Sequence, residues 1–384
     1  MWRTLDIIER AGVEQIFAPI KIFMQNVSDE FEAFRQVNEQ SAPLSRKAAA
    51  AWMREILADQ QNQIPDAQIA ARLTALAVRG VKAVELAGFA DAMRAAAVPL
   101  PLTEAERASL VDTCGTGGDA SGTFNISTGA ALVAAAAGAK IAKHGNRSVT
   151  SRCGSADVLE ALGVPINLAP ETAVACLRQT GFVFLFAPAM HPAMRRVQPL
   201  RRALGFRTVF NILGPLTNPA GARRQVVGVY APELVPLVAE AMLLLGIEHG
   251  LVAHGQIAEG GLDELSLSGS SLLAEVKNGR VDQHALALNE IDLPPAPLTA
   301  LVGGDAQQNA ALLTKIFSGE AGPYRDIVVL NAAAALIVAG LASTLREGIA
   351  QAAAAIDSGA AQRTLAALVE FGASLSTSAA TKAR

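Results

Sequence analysis

The chain has little of what would send it to a membrane, a nucleic acid or an oxidising compartment. Only three of its 384 residues are cysteine, Cys114, Cys153 and Cys176. The number is odd and the spacing matches no metal-ligand set, which excludes a disulfide framework and predicts free thiols in a reducing cytosol. Net charge is −3, with no basic arm or face. That excludes a nucleic-acid binder working by bulk electrostatics, so any polyanion must be held by local geometry. Long apolar runs are also missing: the longest, 129–142, contains Lys140 and is too short to cross a bilayer. Met1-Trp-Arg-Thr-Leu-Asp6 mixes charges too early for a secretory signal, and no internal repeat is visible. The expectation is a cytoplasmic protein that binds neither membrane nor nucleic acid. Hydrophobic residues reach 51% and charged residues 17%, enough to bury a large core in two domains or one domain with an appendage.

Residues 1–43 read as an extra N-terminal leader with helical patterning through Ile7, Val13, Ile16 and Ile20. From 44 to 106 apolar residues recur at three- and four-residue steps. Ser45 is placed to cap the first helix and Gly80 to stop the second. This predicts a small helical domain, completed by a later segment near 170–210. From 107 to 372 short apolar runs alternate with helical patterns, which predicts an α/β domain with a mostly parallel sheet. Strands are expected at 109–112, 140–142, 164–166, 182–186, 225–230 and 250–253. Asn278-Gly279 between Ala274-Glu-Val276 and Arg280-Val281 is a two-residue hairpin signal. Residues 373–384, rich in Ser, Thr and Ala, read as a flexible tail. The fold class is therefore α/β, a small α-helical N-terminal domain joined to a larger α/β domain.

Between Asp112 and Gly163, polar glycine-bearing clusters interrupt this apolar background. Gly115-Thr-Gly-Gly-Asp119 follows a strand. Alone it would be a tight turn, but glycines also let several backbone N–H groups face one phosphate. Thr123-Phe-Asn125-Ile-Ser127-Thr128 then opens a helix, whose N-terminus adds free donors and a positive dipole end. Ser127 and Thr128 suit capping, and capping is compatible with anion binding. Lys143-His-Gly-Asn-Arg147 stands where a strand ends, the side of an α/β sheet that takes ligands, around a constraining Gly145. Ser155 and Asp157 cap the next helix, with a phosphate contact from Ser155 as a second role. Arg201 or Arg202 can fork onto a carboxylate. Asp263-Glu264 alone reads as a solvated turn; beside a phosphate site the pair becomes a Mg²⁺ anchor.

In that order these strings, with Leu213-Gly-Pro-Leu-Thr-Asn-Pro219, closely resemble the anthranilate phosphoribosyltransferases of tryptophan biosynthesis over about 44–370. The resemblance implies a nucleoside phosphorylase/phosphoribosyltransferase-like fold, a homodimer formed through helical domains, and a site in the cleft between the domains. It places 5-phosphoribosyl 1-pyrophosphate (PRPP) against Gly115, Gly118, Asp119, Thr123, Asn125, Ser127, Thr128, Lys143 and Ser155. Anthranilate falls to Gly115, Asn146, Arg201, His144 and His191, with Met194 along its route. Two Mg²⁺ ions fall to Ser127, Asp263 and Glu264. The implied reaction joins the anthranilate nitrogen to ribose C1 and expels pyrophosphate. It needs no strong general base, because an aromatic amine is already neutral near pH 7, and no residue is assigned that role. Two features depart from the family pattern: the leader, and an excursion between Gly255 and Leu262 about three residues longer than usual. A pyrimidine nucleoside phosphorylase would share the architecture but need no paired carboxylates. A non-catalytic paralogue binding nucleic acid would need neither the intact glycine loop nor the basic cluster.

Overall fold

A computed structural model describes residues 43–58, 64–148, 152–257 and 260–382. Nearly all of the expected leader lies outside the described residues. Helix α1 (Arg46–Leu57) begins where the Ser45 side chain accepts a hydrogen bond from the Ala48 N–H at 3.2 Å. Helix α2 (Asp66–Arg79) ends at Gly80, whose φ of 80° suits glycine, and α3 (Ala83–Ala95) follows. Their apolar stripes meet in a core of Met53, Ile56, Ile69, Leu73, Leu86 and Phe89, all fully buried. Each such side chain stabilises the fold by about 1.5–3 kcal/mol.

After α4 (Glu104–Ser109) come β1 (Leu110–Asp112), α5 (Ile126–Ala136), β2 (Lys140–Gly145), α6 (Ser155–Ala161), α7 (Pro170–Thr180) and β3 (Phe182–Phe186). Then α8 (Ala187–Met190), α9 (Val197–Leu204) and α10 (Phe210–Leu213) lead to β4 (Arg224–Gly228), α11 (Leu234–Leu244) and β5 (His249–Gln256). The two-residue β6 (Gly261–Leu262) and the hairpin β7 (Ser271–Lys277) and β8 (Arg280–Leu286) close the sheet. Four helices finish the chain: α12 (Ala306–Phe317), α13 (Pro323–Ala339), α14 (Leu345–Asp357) and α15 (Ala360–Lys382).

The sheet order is β3-β2-β1-β4-β5-β7-β8, with β6 paired to the end of β5. The first five strands are parallel; β6, β7 and β8 run antiparallel. Central β1 has β2 on one side and β4 on the other, so the strand order reverses there. That switch point is where open α/β sheets receive ligands, at the carboxyl ends of the strands. Asn278 and Gly279, with φ of 53° and 73°, make the hairpin turn.

Three expectations change. Residues 164–166 form no strand, because Pro165 cannot donate to a ladder. Helix α15 continues to Lys382, and no Gly or Pro interrupts the Ala- and Ser-rich stretch after Gly372. Finally, the segment packed with the helical bundle runs through Val197, Phe210, Leu213 and Leu216. Pro170–Thr180 instead buries Ala173, Val174 and Leu177 in the larger core. The bundle core also extends through α11 onto Val227, Val252 and Val276 of the sheet. Among the described residues no helix is long and apolar enough to cross a membrane.

Candidate active site

Strand β1 delivers the chain into the glycine loop, and β2 delivers Lys143 and His144 beside it. Strand β2 extends to Gly145, so the basic cluster is half strand, and Lys143 and His144 are buried rather than solvated. The Lys143 ammonium donates to the Thr113 carbonyl at 2.7 Å, and its Nζ lies 3.4 Å from Ser127 Oγ. It therefore bridges the root of the glycine loop to the start of α5. Gly117 and Gly118 take φ of 65° and 79°, the left-handed region that lets this loop turn.

The carboxylates close the other side. Asp263 Oδ2 accepts from the Gly117 N–H at 2.7 Å, and Glu264 Oε1 accepts from the Ser127 N–H at 3.0 Å. Asp119 Oδ2 accepts from the Asp263 N–H at 3.3 Å. Gly228, at the end of β4, permits this approach: a Cβ there would lie 1.5 Å from the Asp263 carbonyl oxygen. Burial, then the charges of Asp119 and Glu264, push the Asp263 carboxyl well up. Burial raises Glu264 to about 7 against the pull of Lys143 and the Ser127 N–H. Adjacent half-buried carboxyls in this state favour a cation beside them, and an all-oxygen donor set with Ser127 Oγ suits Mg²⁺. Among the described residues no three His, Cys, Asp or Glu side chains form an ion cage alone. Mg²⁺ carried on phosphate needs only one or two carboxylates. The long excursion after β5 is pinned at its base by the Gly255–Leu262 and Gln256–Gly261 pairs.

The remaining expected residues divide. Gly115 lies against Asp263, where an added Cβ would be 2.9 Å from Oδ2. Thr123 forms an isolated bridge with Val302, and its Oγ1 lies 3.2 Å from Ser121 Oγ. Thr128 is buried, with no partner for its hydroxyl among the described residues. Ser155 donates to the Asn146 carbonyl at 3.3 Å, crossing Gly145 so closely that a Cβ there would be 2.4 Å from Ser155 Oγ. Arg147 turns away from the loop to pair with Asp157 and Glu160. The Asn125 side chain is occupied: it donates to the Cys153 carbonyl and accepts from Asn309 at 2.9 Å. Sequence reasoning missed Asn309, and it missed Arg207, which donates to the Gly118 carbonyl while stacking 3.9 Å over the Tyr230 ring. The signal for Arg207 lay in the string Arg207-Thr-Val-Phe-Asn211, which precedes the Gly214-Pro215 loop. Desolvation raises the Cys114 thiol, which disfavours the thiolate a nucleophile needs.

Toward the helical domain, His144 and His191 face each other with ring centroids 5.1 Å apart. His144 Nδ1 lies 3.2 Å from the Gly214 carbonyl, and both Nε2 atoms are buried without partners among the described residues. Burial lowers His144 to about 3 and His191 to about 4, so both rings are neutral at pH 7. Only the unfolded chain protonates them near pH 6.5, so their contribution to stability is whole above that pH and is lost as pH falls toward 4. Between pH 7 and pH 4 the urea midpoint of the native chain should lose more than that of His144→Gln/His191→Gln, while the raised Asp263 and Glu264 carboxyls pull both profiles the opposite way. Arg201 is partly buried, 5.6 Å over the Phe210 ring, and no acceptor meets its guanidinium among the described residues.

The fold and this anion cradle define a two-domain glycosyl transferase. Residues 32–97 match the glycosyl transferase family helical bundle domain, and 107–362 match its a/b domain. The chain belongs to the anthranilate phosphoribosyltransferase family. It is 50% identical over 340 residues to the anthranilate phosphoribosyltransferase of Solibacter usitatus, covering 88% of this chain and 97% of that one. The crystal structure of the Thermus thermophilus enzyme superposes with a TM-score of 0.81 at 45% identity, covering 88% of this chain and 99% of that chain. The Saccharomyces cerevisiae enzyme in complex with PRPP and Mg gives a TM-score of 0.78 at 29% identity, covering 90% and 98%. Its complex with 4-fluoroanthranilate gives 0.77 at 28%, with the same coverage.

Proposed function

We propose that this chain transfers the phosphoribosyl group of PRPP to the amino nitrogen of anthranilate, giving N-(5-phosphoribosyl)anthranilate and pyrophosphate. The observation that carries this reading is the single junction at Ser127, where its N–H meets Glu264 and its hydroxyl meets Lys143. One short helix start thus holds together the cation, the carboxylates and the glycine loop that a departing diphosphate requires. Negative charge grows on the pyrophosphate oxygens as the C1–O bond breaks. The Gly117 and Ser127 N–H groups, now paired with Asp263 and Glu264, would pass to that charge at the glycine loop and the N-terminus of α5. Mg²⁺, held at Ser127, Asp263 and Glu264 and two ions per site in this reading, would neutralise the diphosphate. Asp119, Thr123, Asn125, Thr128 and Ser155 line the same ligand.

Anthranilate enters between the domains. Arg201 takes its carboxylate, while Gly115, Asn146 and the neutral His144 and His191 frame the ring. Neutral imidazoles do not compete with Arg201 for the carboxylate. The amine attacks C1 with its lone pair free, so positioning rather than base catalysis serves the attack. Among the described residues the cysteines form no disulfide, which fits a cytoplasmic enzyme. A homodimer built through the helical domains belongs to the same reading.

Anthranilate fluorescence should disappear with PRPP and Mg²⁺ and persist when either is withheld; persistence in the complete mixture overturns the reading. Lys143→Ala should raise the KM for PRPP by on the order of 10- to 100-fold, the worth of a charge-assisted contact to phosphate. The KM for anthranilate should stay near the native value in steady-state kinetics that vary each substrate.

A further inference from the structure

Helix α13 is apolar through Ile327-Val-Val-Leu330 and Ala332-Ala-Ala-Ala335, yet it carries a buried Asn331 in the middle. A lone amide in such a helix must find partners or cost stability. Asn331 finds them on the segment that bears the carboxylate pair. Its Oδ1 accepts from the Leu265 N–H at 3.0 Å, and its Nδ2 donates to the Leu265 carbonyl at 3.1 Å. The second Nδ2 proton goes to the Ile327 carbonyl at 3.0 Å, which fixes the amide on its own helix. One side chain therefore gives Leu265 both hydrogen bonds that a neighbouring strand would have given.

Strand β6 ends at Leu262, and Asp263, Glu264 and Leu265 lie in no strand or helix. Upstream the chain is tied by the Gly255–Leu262 pair, and downstream by the Ser266 N–H to Ser271 Oγ. Between those ties Leu265 is the residue that meets the core, and Asn331 sets its height along the chain. Asn331 also lines the small cavity shared by Ser127, Gly115, Gly228 and Glu264. We propose that Asn331 is a positioning residue for the Asp263–Glu264 pair, setting the register in which both carboxylates meet the metal–diphosphate. This rests on the reading of that pair as the metal carboxylates.

The test uses the full chain with PRPP and Mn²⁺, counting free Mn²⁺ by electron paramagnetic resonance at a temperature where each variant is folded. Asn331→Ala should weaken PRPP-dependent Mn²⁺ binding by about 10-fold, the low end of what losing a direct partner of a metal ligand costs, because Asn331 acts through Leu265 next to Glu264. The KM for PRPP should rise with it, and the KM for anthranilate should not. Asn331→Ser, too short for Leu265 but able to keep the bond to the Ile327 carbonyl, should lose Mn²⁺ binding as the alanine variant does; it also serves if the alanine variant does not fold. A purely structural amide would lower the melting temperature without moving the Mn²⁺ curve. Mn²⁺ binding equal to the native chain in a folded variant therefore overturns the proposal. Asp263→Ala/Glu264→Ala separates the two claims. If that variant retains native Mn²⁺ binding, the metal reading itself fails and takes this proposal with it. If it loses binding while Asn331→Ala does not, only the proposal falls.

Discussion

Asp263→Ala/Glu264→Ala is expected to lower kcat by on the order of 1000-fold or more, because electrostatic stabilisation of the departing charge is the largest contribution the site makes. The pair is tied into the cradle from both sides, Asp263 by the Gly117 N–H and Glu264 by the Ser127 N–H. Its loss would remove the proposed metal ligands, and it releases the loop and the helix start from each other. The same variant should unfold no more easily without ligand. Burial raises both carboxyls, so keeping them ionised at neutral pH costs folding free energy, and alanine removes that cost. Low activity with an undiminished melting temperature, by single-turnover kinetics and calorimetry, is the expected combination. Mg²⁺-dependent turnover near the native rate would contradict the assignment.

Arg201→Ala should act on the anthranilate side alone. The guanidinium is partly buried over Phe210, burial lowers its pKa, and no protein acceptor among the described residues offsets that desolvation. An incoming carboxylate would supply the missing partner. Charged hydrogen bonds contribute about 1.5–3 kcal/mol, so kcat/KM for anthranilate should drop by roughly 10- to 100-fold. The KM for PRPP should hold. Arg201→Lys should recover only part of the loss, since an ammonium lacks the planar fork that matches a carboxylate. An unchanged KM for anthranilate in the alanine variant would remove Arg201 from the role.

Much of this was legible because it is written locally. The glycine loop, Asn125–Thr128 and Lys143–Arg147 each combine an unusual composition with a place where one element stops and another starts. Switches between strand and helix periodicity likewise located β1, β3, β4 and β5, while the segment completing the bundle was placed too early. What stayed hidden depends on distant partners. Asn331 acts 66 residues from Leu265, and Arg207 acts 89 residues from Gly118. Neither partner can be read from the neighbouring residues, although Arg207 opens an unusual string and an asparagine amid eight apolar residues of α13 was a visible oddity. Asn125 illustrates the converse: its string marked the site, but its side chain serves to join Cys153 and Asn309. Arg147 likewise sits in the right cluster and faces helix α6.

A crystal of the chain soaked with PRPP and Mg²⁺ tests the central claim most directly. The diphosphate should lie over the loop from Gly115 to Asp119 and the first turn of α5, with metal between it and Asp263–Glu264. Diphosphate bound elsewhere, with that loop and the Ser127 N–H left to their present partners, would contradict it.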